Sequence, residues 1–250
     1  MVIAHGTTAS RTVRVGLAGW SEAVSRYRNR FLAEGGTGLA RYAGTFDFVE
    51  INSSFYRIPR AETCAKWASE VPPDFRFSVK MNRLITHYSR LRDPGLLGSF
   101  FSSVDGLGDK LAVVLVQLPP TLTYDAAVAG KFFQRLRELC PACLVCEPRH
   151  RSWTDDAARV LLSSFRIGLV RTSIPEKHDA ADDDAGWPLY FRLHGAPRRY
   201  HSPYSAAQLS ALAAFLARRK DVTRYIVFDN TASKAGVDNA LELRRLLAAV

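Results

Sequence analysis

Residues 189–195 read Leu-Tyr-Phe-Arg-Leu-His-Gly, and this stretch decides the fold class. Phe191 and Leu193 are apolar, whereas Arg192 and His194 alternate with them. Because successive side chains of a strand point to opposite faces, Arg192 and His194 face the same side. An apolar strand that ends in charged side chains is typical of the carboxyl end of a strand in a parallel α/β fold, where active sites gather.

Short apolar runs of this kind recur along the chain and alternate with segments of helical periodicity. The predicted strands are Val13–Ala18, Phe46–Asn52, Phe75–Lys80, Ala112–Gln117, Leu144–Glu147, Ile167–Arg171, Leu189–Leu193 and Tyr225–Phe228. The predicted helices are Thr37–Ala43, Ala61–Glu70, Leu96–Val104, Ala126–Leu139, Asp155–Ser164, Ala206–Arg219 and Ala235–Ala249. Alternating strands and helices predict parallel βαβ units, and eight strands in 250 residues predict an α/β fold with a single (β/α)8 TIM-barrel-like domain. We assign residues 13–250 to this domain, residues 1–12 to an N-terminal extension and the acidic stretch 173–188 to a solvated loop.

Composition excludes several classes of protein. The 47% apolar content is enough to bury a core, so wholesale disorder is excluded. No apolar run approaches the ~18 residues of a membrane span. Residues 1–12 lack the charged and apolar segments of a secretory signal, so we expect a cytoplasmic protein. The net charge is 34 − 24 = +10, and 27 of the 34 basic residues are Arg, which favours an anionic partner.

Charged side chains stand at the ends of several predicted strands. Glu50 and Asn52 share the inward face of the second strand, and Glu147 and Arg149 share that of the fifth. Burying an unpaired ion costs several kcal/mol, so converging ions must pair with each other, bind a ligand, or do both. A purely structural salt-bridge network is therefore the alternative to a binding site.

The residue types at this end of the barrel suggest acid–base chemistry on an anion. Glu50 and Glu147 are the candidate proton-transfer groups, with His194 as a further acid or base. Lys80 is the fourth candidate catalytic residue: it suits an anion contact, a structural ion pair or an imine-forming nucleophile. The candidate substrate-binding residues are Trp20, Asn52, Tyr56, His87, Arg149, Arg192 and Asn230.

Two patterns raise the question of a metal. Cys140, Cys143 and Cys146 have a C-x-x-C-x-x-C spacing, and three histidines follow strands, but no pair of histidines has a typical ligand spacing. We interpret the thiols as small buried groups, and the many nearby arginines disfavour a divalent cation. The sequence indicates no metal and no cofactor.

A third pattern is basic and aromatic. The runs at residues 26–31, 149–153 and 198–201 follow strands one, five and seven, and Tyr88 and Arg90 follow strand three. Arginine binds phosphate and aromatic rings stack on bases, so a rim of these side chains on one face suits nucleic acid. The alternative for each run is a solvated loop.

At these residues the chain resembles the YecE-like family (domain of unknown function 72), over about residues 13–248. The matching pieces are Gly16-x-x-Gly19-Trp20, residues 49–56, Phe77-Ser78-Val79-Lys80, Ile85-Thr86-His87, residues 116–120, Glu147-x-Arg149-His150-x-Ser152-Trp153, Arg192-Leu193-His194-Gly195, Asp229-Asn230-Thr231 and Asn239-Ala240. The resemblance implies a TIM-barrel-like fold, similar in shape to endonuclease IV and sugar isomerase barrels, and no established activity. Family members often carry an aspartate where this chain has Arg171-Thr172, so a metal site built on that aspartate does not transfer.

We therefore predict an enzyme of hydrolase, lyase or isomerase type that acts without a metal on a phosphorylated or otherwise anionic small molecule. Glu50 and Glu147 would move protons, and Lys80, Arg149 and Arg192 would clamp the anion. The alternative is a nucleic-acid-binding protein, in the manner of endonuclease IV, that uses the basic-aromatic rim. A third reading is a binding or scaffold barrel whose polar centre is structural. The sequence does not specify the oligomeric state.

Overall fold

The computed structural model describes residues 12–21, 36–175, 188–233 and 235–249. Eight parallel strands close into a barrel in sequence order, with β1 paired to β8. The strands are β1 (Val13–Leu17), β2 (Phe48–Ile51), β3 (Arg76–Lys80), β4 (Leu111–Gln117), β5 (Cys143–Glu147), β6 (Ile167–Arg171), β7 (Leu189–Leu193) and β8 (Arg224–Phe228). The predicted fold class is confirmed, and most strand bounds differ from the prediction by only a residue or two.

Helices pack on the outside of this barrel. They are α1 (Gly38–Ala43), α2 (Ala61–Ser69), α3 (Leu96–Val104), α4 (Ala126–Leu139), α5 (Asp156–Ser164), α6 (Ala206–Arg218) and α7 (Ala235–Ala248). Shorter helical turns follow several strands: Ser53–Phe55, Leu84–Tyr88, Asp105–Lys110 and Arg151–Trp153. Helix α6 begins with a capping box, in which the Ser205 hydroxyl accepts from the backbone N–H of Gln208.

The core has two layers, as the period-two alternation requires. Odd and even residues of a strand face opposite sides, so one set fills the barrel and the other packs under the helices. The interior set is Phe48, Val113, Leu115, Val145, Tyr190, Tyr225 and Val227. The much larger outer set includes Val49, Ile51, Phe191 and Leu193, which alternate along β2 and β7 with the inward-facing Glu50 and Arg192. Along the barrel axis, this interior apolar layer is followed by polar side chains at the carboxyl ends of the strands.

Close contact between β1 and β2 depends on a glycine. A Cβ on Gly16 would collide with the carbonyl oxygen of Phe48, so no larger residue fits there without a shift. Beside it, the buried Tyr42 hydroxyl donates to the Phe48 carbonyl at 2.8 Å and accepts from the Leu17 N–H at 3.0 Å. Helix α1 is thereby tied to the first two strands.

Three predicted features lie wholly or partly outside the described residues. They are the N-terminal extension except for Thr12, the basic run at residues 26–31, and most of the acidic stretch 173–188. None of the described helices combines the length and the apolar character needed to cross a lipid bilayer.

Candidate functional site

Arg192 is the centre of a polar cluster at the carboxyl ends of the strands. Its side chain is 1% exposed, and it extends from β7 toward carboxylates on three other strands. Its Nε and Nη2 donate to Glu50 at 2.9–3.1 Å, and its Nη1 donates to Glu147 Oε2 at 2.7 Å. Nη2 also donates to Asp229 Oδ2 at 3.0 Å. One guanidinium therefore holds the acids of β2 and β5 and the acid that follows β8.

His194, two residues beyond Arg192, bridges two of the same acids. Its Nδ1 lies 2.8 Å from Asp229 Oδ2, and its Nε2 lies 3.1 Å from Glu147 Oε1. The same Nε2 is 3.0 Å from Nη2 of Arg149, whose guanidinium also forms an ion pair with Glu147. The imidazole is 5% exposed, so its orientation is set by protein groups on both edges.

Neutral side chains complete the hydrogen bonding of the glutamates. The Tyr190 hydroxyl donates to Glu50 Oε2 at 2.8 Å and shares a 2.6 Å hydrogen bond with Ser78 Oγ. Gln117 Nε2 donates to Glu147 Oε2 at 3.0 Å. Glu50 and Glu147 are 0% and 1% exposed, and their full sets of partners make that burial tolerable.

The electrostatics of the cluster favour ions over neutral forms. Burial alone would lower the pKa of Arg192, but Glu50, Asp229 and Glu147 outweigh it and hold that pKa well above its ordinary value. Burial opposes ionisation of Glu147 as well, yet the hydrogen bond from His194 and the charges of Arg192 and Arg149 lower its pKa to about 2. The pKa of Asp229 is lowered for the same kind of reason, with Arg192 again outweighing burial.

Lys80 differs from the other cations of the cluster. It ends β3, and its Nζ lies 4.2 Å from the centre of the Phe55 ring. Within the described part of the chain, its amine has no hydrogen bond and no ion pair within 4 Å. Burial lowers the pKa of Lys80, the charge of Arg192 lowers it further, and the carboxylates of the cluster only partly compensate. The structure therefore presents a cation that is held near the acids but is not bound by them.

Two predicted substrate-binding residues, His87 and Tyr56, pack against the Phe55 ring that this amine contacts. His87 packs edge-on against Phe55 at 4.9 Å between ring centres, and burial together with the charge of Lys80 lowers its pKa. Tyr56 packs against the same ring at 5.1 Å and is 67% exposed. The Oδ1 of Asn52 is buried, and no described residue offers it a hydrogen bond.

Two other predicted binding residues pack away from the cluster. The Trp20 ring meets Trp67 of α2 edge-on at 5.3 Å, in a cleft between α1 and α2. Asn230 is 0% exposed, and its Nδ2 donates to the Ser202 carbonyl at 3.0 Å and to Asn239 Oδ1 at 3.1 Å. Asn230 thereby ties the segment after β7 to α7, and substrate contact by either residue stays a prediction.

Three residues of the cluster were not among the predicted site residues. Asp229, Tyr190 and Gln117 all hydrogen-bond to its central side chains. The alternation that identified Arg192 also predicts Asp229 and Tyr190. Asp229 lies two positions after the inward-facing Val227, and Tyr190, which also faces the barrel interior, lies two positions before Arg192. We instead selected Asn230, whose side chain points the other way.

The cysteines do not converge. Cys146 lies in the layer between the barrel and the helices, whereas Cys143 packs against the interior cluster on the opposite face of β5. Burial raises the pKa of the Cys64 and Cys140 thiols to about 11. Across the four described ranges, no three His, Cys, Asp or Glu side chains are arranged to hold a metal ion.

Part of the predicted basic-aromatic rim is described, and it is exposed. Arg151, Arg198 and Arg199 are exposed after β5 and β7, and Tyr200 is 42% exposed. A further pair of contacts was not predicted: the Arg83 guanidinium lies 5.4 Å from the Tyr56 ring centre and 5.5 Å from that of Tyr88.

Fold and cluster together define a single-domain parallel (β/α)8 barrel with a buried, charge-balanced site at the carboxyl ends of its strands. The chain belongs to the family described as Protein of unknown function DUF72, which it matches over residues 14–250. This agrees with the resemblance that the sequence motifs indicated.

Curated relatives are similar over part of their length. The UPF0759 protein YecE of Escherichia coli K12 is 30% identical over 110 residues, which cover 44% of this chain and 38% of YecE. The UPF0759 protein YunF of Bacillus subtilis is 32% identical over 150 residues, which cover 56% of this chain and 52% of YunF. The alignments thus span about half or less of these relatives.

Solved structures show the same fold at lower sequence identity. A DUF72 family protein from Enterococcus faecalis V583 superposes with a TM-score of 0.75 at 21% identity, covering 95% of this chain and 96% of that one. A DUF72 family protein from Thermotoga maritima MSB8 superposes with a TM-score of 0.74 at 24% identity, covering 95% and 99%. These structures support the architecture and carry no information about activity.

Proposed function

We propose that this barrel is an enzyme that binds a small anionic substrate, phosphorylated or carboxylated, between Lys80 and Arg149. The observation that carries the proposal is the Lys80 amine, which lies at the mouth of the barrel without an anionic partner among the described residues while Arg192 takes the acids. A largely buried cation without an ion pair among the described residues is suited to bind an anionic ligand. Arg149, with 15% of its side chain exposed, is the second cation within reach of solvent.

The roles of the two arginines then differ. Arg192 is buried and satisfied by three acids, so it organises Glu50, Glu147 and Asp229 and does not itself meet the substrate. Arg149 has one partner acid and contacts His194, so it is the residue that positions the anion. A planar guanidinium at that position suits a carboxylate or a phosphate equally well.

Proton transfer falls to His194. Its ring is held between Asp229 and Glu147, at 2.8 and 3.1 Å, so both ring nitrogens have a carboxylate partner that orients the imidazole for proton transfer. Glu147, with a pKa of about 2, is too weak a base to keep a proton and instead stabilises the imidazolium. Glu50 balances the charge of Arg192. Cations facing the substrate would stabilise negative charge that develops on it, which favours lyase or isomerase chemistry at a carbon next to a carbonyl.

The test is anion binding by matched variants. Thermal shift and calorimetric titration with inorganic phosphate, pyrophosphate and pyruvate would be run on the wild type, Arg149→Ala and Lys80→Met. We expect each variant to bind the preferred anion at least about tenfold more weakly, the loss of one charge-assisted contact. Arg245→Ala is the control, because Arg245 is exposed and forms an ion pair with Glu242 on the same helix. Unchanged affinity in both site variants would contradict the proposal.

A second candidate function, nucleic-acid binding, rests on the Tyr56–Arg83–Tyr88 stack and the exposed arginines after β5 and β7. Two rings flanking a guanidinium on an open surface suit the bases and phosphates of a single strand. Fluorescence anisotropy with single- and double-stranded oligonucleotides at several salt concentrations would test it. We expect log K to fall by about 0.7 or 0.9 per phosphate contact, respectively, against log salt. No binding near physiological salt, or equal binding by Tyr56→Ala, would contradict it.

A further inference from the structure

The environment of Lys80 suits a nucleophile as well as an anion contact. Two other described lysines differ from it. Lys110 donates to two backbone carbonyls at 2.6 and 2.7 Å, and Lys66, with its side chain 71% exposed, lies 3.9 Å from Glu70. Lys80 Nζ instead rests over the Phe55 ring, and no described residue accepts a hydrogen bond from it. An amine is a nucleophile only when its nitrogen is deprotonated, and no carboxylate of the described residues holds the Lys80 ammonium in an ion pair.

The charges around the amine support the same reading. Arg192 faces Lys80 from β7, Glu50 from β2, Glu147 from β5 and Asp229 from the end of β8, and His87 lies on the outer side. Burial and Arg192 lower the pKa of Lys80 more than the three acids raise it, so a larger share of the amine is neutral near physiological pH.

We propose that Lys80 Nζ condenses with the carbonyl carbon of a small anionic aldehyde or keto acid and forms an imine. This deepens the proposed function by naming its substrate class, a carbonyl compound that also carries a carboxylate or a phosphate, and it rests on that function. The anionic group would lie on Arg149, and the carbonyl would lie over the Phe55–Lys80 contact.

The step balances without any co-reactant. The neutral amine attacks the carbonyl carbon, and a C–N bond forms as the C=O π bond breaks. The nitrogen then loses one proton and the former carbonyl oxygen gains one, which gives a neutral carbinolamine. Loss of the hydroxyl with a proton from nitrogen releases one water and leaves the C=N bond. Protons pass through the site in both halves of the step, and the Asp229–His194–Glu147 arrangement is the acid–base group beside the amine.

Reductive trapping tests the inference. The full chain would be incubated at neutral pH with sodium cyanoborohydride and either pyruvate or glycolaldehyde phosphate, and digested for peptide mapping by mass spectrometry. We expect Lys80 to carry the reduced adduct at least about tenfold faster than the exposed Lys66, because the lowered pKa of Lys80 leaves more of its amine neutral. The two probes separate a carboxylate from a phosphate requirement, and acetaldehyde provides an uncharged carbonyl control.

The variants make the outcome specific. Lys80→Arg keeps a positive charge and removes the nucleophilic amine, so it should carry no reduced adduct at residue 80. Lys66→Arg is the matched control and should leave labelling of Lys80 unchanged. Adducts spread evenly over surface lysines would overturn the inference. So would the absence of an adduct on Lys80 when pyruvate and phosphate still bind, and that second result would leave the proposed function intact. If the wild-type protein binds none of the tested anions, both the imine inference and the proposed function are overturned.

Discussion

The guanidinium of Arg192 donates three hydrogen bonds to Glu50, from Nε to both carboxylate oxygens and from Nη2 to Oε1, at 2.9–3.1 Å. The two side chains are 1% and 0% exposed and come from strands β7 and β2 on different parts of the barrel wall. Desolvating such a pair costs several kcal/mol, and well-packed apolar residues often serve stability as well or better. We infer that the pair is present because the site needs fixed charges at this position.

Removing Arg192 should be strongly destabilising. Arg192→Met leaves Glu50, Glu147 and Asp229 buried without their shared cation, and we expect a loss of about 3–5 kcal/mol in the free energy of unfolding at neutral pH. Urea denaturation would measure it. The loss should shrink in mild acid, because protonated carboxyls no longer need the cation. A loss below about 1 kcal/mol would show that the acids accept neutral neighbours.

Glu147 should make the stability of the fold depend on acid pH. Its pKa is lowered to about 2 in the folded protein, below the ordinary value of 4.5, so the unfolded chain binds the proton more tightly. Its contribution is therefore fully present above about pH 4.5 and is lost as the pH falls toward 2, with a total of about 3 kcal/mol.

Unfolding curves of the wild type and of Glu147→Gln between these pH values would measure that contribution. We expect the variant to have a smaller pH slope over this range. Glu138→Gln, an exposed acid on α4, is the control and should leave the slope nearly as in the wild type. Identical slopes for the wild type and Glu147→Gln would contradict the prediction.

Lys80→Met should stabilise the protein. The pKa of Lys80 is lowered in the fold, so the unfolded chain binds its proton more tightly, and stability rises with pH toward the ordinary value of 10.5. A neutral side chain removes that penalty, and we expect a gain of roughly 1 kcal/mol at neutral pH together with weaker anion binding. Calorimetric melting would measure the gain, and a lower melting temperature would mean that the ammonium stabilises the fold.

Tyr190 and Ser78 should be energetically coupled, because their hydroxyls share a direct hydrogen bond. The Tyr190 hydroxyl is fully buried and bonded to both partners, so Tyr190→Phe removes two hydrogen bonds and should cost about 1–3 kcal/mol. A double-mutant cycle with Ser78→Ala should return a non-additive term of about 1 kcal/mol. Additive losses would indicate that each hydroxyl finds another partner.

Asn230→Ala should affect stability and leave anion affinity unchanged. Its amide joins the Ser202 carbonyl to Asn239 Oδ1, and Asn239 in turn makes hydrogen bonds with the backbone of Tyr204 at 2.9 and 3.1 Å. We expect a cost of about 1–3 kcal/mol in urea denaturation. If Asn230→Ala has normal stability but no longer binds anions, the result would instead support the prediction that Asn230 contacts the substrate.

Strand and helix positions were predictable because their signals are local. Alternation at Glu50, Glu147 and Arg192 places those side chains inside any barrel, and the cap at Ser205 marks the start of α6 within a few residues. The convergence of these charges at one end follows from topology alone, since parallel strands end on the same side. Alternation along β8 also predicts an inward-facing Asp229, but its neighbour Asn230 was selected as the site residue.

Pairing within the site was not predictable, because it depends on distances between residues far apart in the chain. Arg192 and Glu50 are separated by 142 positions, and only the closed barrel decides that Arg192 takes three acids while Lys80 takes none among the described residues. The packing of Trp20 against Trp67 likewise depends on how α2 lies on the barrel. Residue type and period set the face that each side chain occupies, whereas partner, burial and pKa arise from packing in three dimensions.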